Sequence, residues 1–204
     1  MKKLCMAILV SLALAVPASA APNFYGPTGL FKIPTANVLK PREWNLDYHY
    51  VSDQDHFVAG NVGVTKGLEV GALFFQDVSN GGGSGITANA KYQLLYENTS
   101  KVGLAVGWQD IADALDTSVY VVASKQVGMM QHAPINLHLG IGGGVFDNVF
   151  AGGDLYLVQH LQGILEFDGV HVNGGVRVGV GDFRIDAGLV SGQFGVGTSY
   201  NTAF

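Results

Sequence analysis

The sequence predicts an all-β protein, a single antiparallel up-and-down transmembrane β-barrel of about 12 strands, within bounds of roughly 10–14. Three observations predict it. Apolar residues recur at every second position in segment after segment, the period of a pleated strand whose successive side chains leave opposite faces. The faces opposite them carry mostly glycine, alanine and a few polar groups, a poor surface for a soluble protein. Charged residues make up only 13% of the chain, against about 25% in ordinary soluble domains. Its 29 glycines are about double the usual share.

Residues 1–20, MKKLCMAILVSLALAVPASA, read as a cleaved secretory signal. Two lysines precede an apolar run from Leu4 to Val16, and Ala18-Ser19-Ala20 forms the small-residue cleavage site. That run is too short to cross a bilayer as a helix. The only cysteine, Cys5, leaves with the signal, so the mature chain has no disulfide. Losing Lys2 and Lys3 takes the formal net charge from −5 to −7, which argues against nucleic-acid binding. Residues 21–42 form neither signal nor clear strand. With Pro27, Pro34 and Pro41 they should be extended and turn-rich, serving either as a plug across the lumen or as a tether for the first strand.

The barrel should occupy residues 43–204. Trp44, Leu46, Tyr48 and Tyr50 alternate with Asn45, Asp47 and His49 in the first strand. Phe57–Val64 is a weaker second, and Leu68, Val70, Ala72 and Phe74 mark a third. The clearest is the fourth, with Ile86, Ala88, Ala90, Tyr92 and Leu94 opposite Thr87, Asn89, Lys91 and Gln93. Val102, Leu104, Val106 and Trp108 make the fifth, and Thr117 to about Lys125 the sixth. Ile135, Leu137, Leu139 and Ile141 stand against Asn136, His138, Gly140 and Gly142 in the seventh. Val149–Leu157 and Gly163–Asp168 follow. VNGGVRVGVGDFRIDAGL, from residue 172, supplies the tenth and eleventh, and Phe194, Val196, Thr198 and Tyr200 the twelfth. An even number returns both termini to one side.

The connectors favour hairpins. Gly181-Asp182 suits a two-residue type II′ turn, which pairs Val180 with Phe183, Val178 with Ile185 and Arg177 with Asp186. The last pair sets opposite charges on one face. Thr65-Lys66-Gly67 suits a three-residue loop ending in a glycine bulge, with Val64 opposite Leu68 and Gly63 opposite Glu69. NGGGSG at 80–85 reads as a flexible loop.

Orientation follows from composition. An outward polar face would show water Gly71, Gly103, Gly107, Gly140, Gly175 and Gly197 rather than dense charge. On an inner face the same glycines relieve crowding, while the apolar face suits acyl chains. Trp44, Tyr50, Trp108, Tyr200 and Phe204 fall near strand ends, where aromatic girdles belong. The expected location is the bacterial outer membrane, reached through the periplasm. The ending GQFGVGTSYNTAF, with its terminal phenylalanine, looks like the strand signal read by the barrel-assembly machinery, an expected partner beside membrane lipid.

GPTGLFKIPTANVLKPREW resembles the opening of YjbH-type outer-membrane barrels, tied to exopolysaccharide production. Gly29, Leu30, Ile33, Pro34, Thr35 and Ala36 carry the likeness. LEFDGVHVNGGVRVGVGDFRIDAG is similar to that family's hairpins through Glu166, Phe167, Asp168, Gly169, Asn173, Gly175, Val176 and Arg177. The resemblance implies an outer-membrane barrel with a structural or transport role assisting exopolysaccharide or envelope export, with polysaccharide or export components as partners. Typical members are several times longer, so this chain would be a single minimal barrel.

Enzymatic readings have less to stand on. No pair among the six histidines has metal-ligand spacing, and no metal or other cofactor is expected. Ser124 with His138 would be the nucleophile–base pair if the barrel were a lipid-acting enzyme, but G-x-S-x-G is lacking, the sequence does not place the two side by side, and the expectation is no enzyme. A soluble secreted β-domain binding a ligand is the remaining alternative. Glu69, Lys91, Glu166, Asp168, Arg177, Arg184 and Asp186 form the expected lumen charges. The plainer reading is a network in which opposite charges on neighbouring strands satisfy one another, with Arg184 one strand from Glu166 and Asp168. The sharper one is a constriction that selects solutes.

Overall fold

The computed structural model describes residues 20–52, 55–77, 83–130 and 133–204. Residues 1–19 of the expected signal, His132 and residues 80–82 of the glycine loop at 80–85 lie outside them. Twelve strands run in chain order: β1 Glu43–Val51, β2 Asp55–Thr65, β3 Leu68–Asp77, β4 Ser84–Leu95, β5 Gly103–Gln109 and β6 Ser118–Met130. Then follow β7 Ala133–Gly142, β8 Asn148–Val158, β9 Leu161–Phe167, β10 Val172–Val180, β11 Phe183–Val190 and β12 Gln193–Ala203. Each pairs antiparallel with its sequence neighbour, and β12 closes on β1 from Glu43↔Ala203 to Val51↔Gly195. Closure leaves no strand edge unpaired, which an apolar surrounding requires.

The period of two sorts the side chains as the composition implied. Ile86, Leu165 and Val172 are 65–70% exposed on the outside, whereas Glu69 and Lys91 are fully buried within. Lumen glycines admit large side chains. A Cβ on Gly140 would stand 2.1 Å from the Phe150 ring, and one on Gly107 2.3 Å from that of Tyr120. Phe150, Tyr120 and Phe146 pack together there, with Phe146 on a single turn of 3-10 helix, Gly144–Phe146, between β7 and β8.

The β10–β11 turn has the expected register, including Arg177↔Asp186. Gly181 alone of its two residues has positive φ, at 60°, as type II′ requires. The β2–β3 turn departs from expectation. Gly63 does face Glu69, but Leu68 pairs with Thr65, and the register shifts between Gly63 and Thr65. Val64 is therefore the bulged residue. Gly67, at φ 88°, ends the tight turn, and the strand absorbs the extra residue. Strand β6 also runs past Lys125 to Met130, with a second register shift between Gln126 and Gly128. That break in the alternation is why it reads short. Ser84 and Gly85 of the glycine stretch belong to β4.

The aromatic residues fall at both rims. Trp44 packs against Tyr200 at the end carrying the C-terminus, where Phe204 is also exposed. At the far end Tyr50 lies against His56, and the Trp108 indole donates to Thr117 Oγ1 at 2.9 Å.

Candidate functional site

Residues 21–36 lie almost wholly buried inside the barrel, from Phe24 through Phe31 and Ile33 to Ala36. A proline-rich stretch that is neither helix nor strand leaves most backbone groups without partners of its own. Two isolated bridges, Pro22↔Thr28 and Gly29↔Pro34, satisfy some of them. Charged side chains of the wall take much of the remainder.

Glu166, on β9, accepts from the amides of Lys32 at 2.7 Å, Phe31 at 3.0 Å and Ile33 at 3.5 Å. Glu69, on β3, accepts from Thr28 N at 2.8 Å, Thr28 Oγ1 at 2.9 Å and Leu39 N at 2.9 Å. Lys91, on β4, donates to the carbonyl of Thr28 at 2.7 Å, to that of Thr35 at 3.3 Å, and to the Thr28 hydroxyl. The Arg177 guanidinium, on β10, reaches the carbonyls of Pro22, Gly29 and Leu30, each at 3.0 Å. Gly29, Leu30, Ile33, Thr35 and Ala36 thus all offer backbone groups to wall side chains, and Pro34 is bridged to Gly29.

The seven expected lumen charges are all buried. Two pairs match across neighbouring strands: Arg177 Nε lies 2.7 Å from Asp186, and Lys91 Nζ 3.8 Å from Glu69. The others do not follow that scheme. Asp168, in the β9–β10 turn, pairs at 2.6 Å with Lys32 of the N-terminal segment and accepts from Asn173. Burial alone would lower Lys32, but Tyr25 and Asp168 more than offset it and hold the ammonium above its ordinary value. Burial is the largest influence on Asp168 and works to raise it, but the Lys32 ammonium, the His171 amide and Asn173 together outweigh it, so its carboxyl stays below the usual range. Arg184 approaches neither Glu166 nor Asp168. It sits on β11 opposite Gly179, two strands from β9, and donates to the carbonyls of Gly181 and Phe183 in its own turn.

Several participants were not singled out from the sequence. Asp47 and His49 of β1 stand 3.1 Å apart, and His49 reaches Asp186 at 3.5 Å, extending the Arg177 pair across the β12–β1 closure. Their place in the polar phase of β1 was the available signal. Lys32 had none, because its segment has no period.

On the β6–β11 side the segment leaves a cavity of about 270 Å³. Asn136, Tyr156, Gln159, Gln162 and Arg184 line it, together with Ser124, His138 and Asp154. The structure places Ser124 and His138 in hydrogen-bond contact at 2.7 Å, with His138 bonded in turn to Asp154 at 2.9 Å. No group of three or more His, Cys, Asp or Glu residues forms a metal centre among the described residues.

Two solved structures share the fold, described as "KdgM porin" and "KdgM porin in complex with disordered oligogalacturonate". Each has a TM-score of 0.53 and 11% identity to this chain, covering 79% of it and 99% of its own length. No curated protein matches. A family model described as "Exopolysaccharide biosynthesis protein YbjH" matches residues 21–155, from the buried segment through β8. The chain belongs to the YjbH family.

Proposed function

We propose that this protein is an outer-membrane barrel, closed at rest by its own N-terminal segment, that assists exopolysaccharide export. The observation that carries the reading is the set of wall-to-segment bonds from Glu69, Lys91, Glu166 and Arg177. A tether would need no such bonding, and an open general porin would have no room for it. The apolar exterior supports residence in lipid, since a secreted soluble domain would expose Ile86, Leu165, Val172, Phe183 and Ile185 to water. Ala20 and Phe204 then lie on the periplasmic side, and the polar cavity opens toward that side. Hydrolysis of membrane lipid is disfavoured, because Ser124 and His138 point away from the acyl chains. The export role itself draws on the family description.

Planar-bilayer recordings test closure. The wild-type protein should show no steady conductance, and Glu69→Ala/Glu166→Ala should give frequent openings. A steady open channel in the wild type overturns the plug. Unchanged exopolysaccharide export in a strain lacking the gene overturns the export role.

A further inference from the structure

We propose that Ser124, His138 and Asp154 form a hydrolytic site for ester groups entering from the periplasmic side of the lumen. Ser124 is its nucleophile, His138 its base and Asp154 the residue that positions the base. The three come from adjacent strands. Ser124 faces His138 directly across β6 and β7, and Asp154 on β8 is one diagonal step away, opposite Asn136. Rigid strands of a closed sheet hold such a constellation better than loops do.

The protonation pattern follows from the partners. Asp154 Oδ1 lies 2.9 Å from His138 Nε2, and a carboxylate only accepts, so Nε2 carries the ring hydrogen. Nδ1 therefore presents its lone pair to Ser124 Oγ at 2.7 Å, and the serine hydroxyl donates to it. This is the tautomer that nucleophilic serine chemistry needs, whichever ring nitrogen faces the serine. Asp154 is itself fixed, since Asn136 Nδ2 at 3.0 Å and Gln162 Nε2 at 2.8 Å both donate to Oδ2 and leave Oδ1 for the histidine.

A buried Ser–His bond on a barrel wall is ordinarily part of a satisfied network. Here three further features coincide: the third member is secured from two sides, all three residues line one cavity, and a backbone amide of the N-terminal segment donates to Oγ. That donor is the Ala36 amide, 2.8 Å from Oγ. In the proposed reaction its N–H passes from Oγ to the carbonyl oxygen of the ester under attack.

The chemistry balances with water as the only co-reactant. Ser124 Oγ bonds to the acyl carbon while its proton passes to His138 Nδ1 and the carbonyl electron pair moves to oxygen. Collapse breaks the bond to the alcohol oxygen, which leaves with the proton from His138. Water, deprotonated by His138, then attacks the acyl-serine, and the carboxylic acid departs as Ser124 regains its proton.

The cavity sets the substrate class. Its volume, about 270 Å³, is near the lower end of ordinary ligand pockets, and polar side chains line it. It suits a short acyl group on a hydrophilic carrier, such as an O-acetylated sugar. The sugar carrier rests on the export reading above, whereas the esterase chemistry does not.

The test treats full-length protein in detergent with a fluorophosphonate probe and with p-nitrophenyl acetate, folding being checked by heat-dependent gel migration. Probe adduct should map to Ser124 in the wild type, an outcome that needs no variant. Ser124→Ala and His138→Ala should lose labelling and lower ester turnover by about 10²-fold or more. Asp154→Asn should lower kcat with KM little changed and shift the pH profile, which loss of a merely structural contact would not do. A folded wild type that stays unlabelled and turns over the ester no faster than Ser124→Ala overturns the proposal. Turnover of p-nitrophenyl acetate without acetate release from an O-acetylated oligosaccharide overturns the sugar class alone. Unchanged polysaccharide export would remove the export reading and leave the labelling result standing.

Discussion

Glu69 and Glu166 do the same job on different walls of the lumen, yet their surroundings differ. Glu69 has a counter-charge within the wall, because Lys91 faces it across β3 and β4 and lies 3.8 Å away. Glu166 has none of that kind. Its wall partner is the neutral Asn173, and the next acid, Asp168, adds a second negative charge whose cation, Lys32, belongs to the N-terminal segment. The difference shows what each end of the segment contributes. Near Glu69 the segment satisfies hydrogen bonds on a wall already balanced in charge. Near Glu166 the segment also serves as the counter-ion.

The largest effect should come from Glu69→Ala. It removes one member of a buried ion pair and leaves Lys91 charged and fully enclosed, a change that costs about 3–5 kcal/mol. The loss should fall on the barrel itself and appear as a lower urea midpoint for the gel-mobility transition. Glu69→Ala/Lys91→Met should recover much of it. A double variant no better than the single one would mean that charge balance within the wall is not what distinguishes this end.

Glu166→Ala should act on the segment more than on the barrel. Three amides, those of Phe31, Lys32 and Ile33, lose their acceptor, and leaving buried donors unpaired costs roughly 1–3 kcal/mol each before water enters the gap. Hydrogen exchange at residues 31–33 should accelerate by about 10²-fold, corresponding to roughly 3 kcal/mol, while the barrel midpoint stays close to the wild type. Glu166→Gln, which keeps one accepting oxygen, should fall between. Equal losses of barrel stability from Glu69→Ala and Glu166→Ala would erase the contrast.

Both anchors could be assigned to the lumen from the sequence, but what they hold could not. Alternation is local, so Glu69, Lys91 and Glu166 take their face from parity alone, and the Gly181-Asp182 turn sets Arg177 against Asp186 by counting outward. Contacts with residues 21–42 are not periodic. Lys32 meets Asp168 from 136 positions away in the chain, through a turn that gives no register. Arg184 was misplaced because adjacency in the chain does not give height along the barrel: it sits by the β10–β11 turn, and Glu166 at the opposite end of β9. Parity also puts Ser124 and His138 on the lumen face, yet their meeting depends on a connection and a bulge that the sequence does not disclose. Asp154 was passed over because Ala151-Gly152-Gly153 blurs the alternation of β8.

The smallest expected effect isolates the counter-ion role. Lys32→Met keeps the stem of the side chain and removes its ammonium, leaving Asp168 with Asn173 and the amides of Val170 and His171. Exchange at residues 31–33 should accelerate about 5- to 10-fold at neutral pH, about 1 kcal/mol for a partly retained set of bonds. The sign of the pH dependence follows from the directions of the two shifts. Asp168 is held below its ordinary value of 3.8, so its share of the pairing is complete above that value and fades as pH falls through the lowered one. Lys32 is held above 10.5, so its share is complete below that value and fades as pH rises past the raised one. Glu166 and His171 stand around the same pair, so the quantity to follow is the difference between wild type and Lys32→Met. That difference should hold between about pH 5 and 9 and shrink on acidification below about pH 4. A difference that persists undiminished at pH 3 would show that Lys32 acts by packing against Tyr25 rather than by its charge, and the Glu166 end would then differ from the Glu69 end in geometry alone.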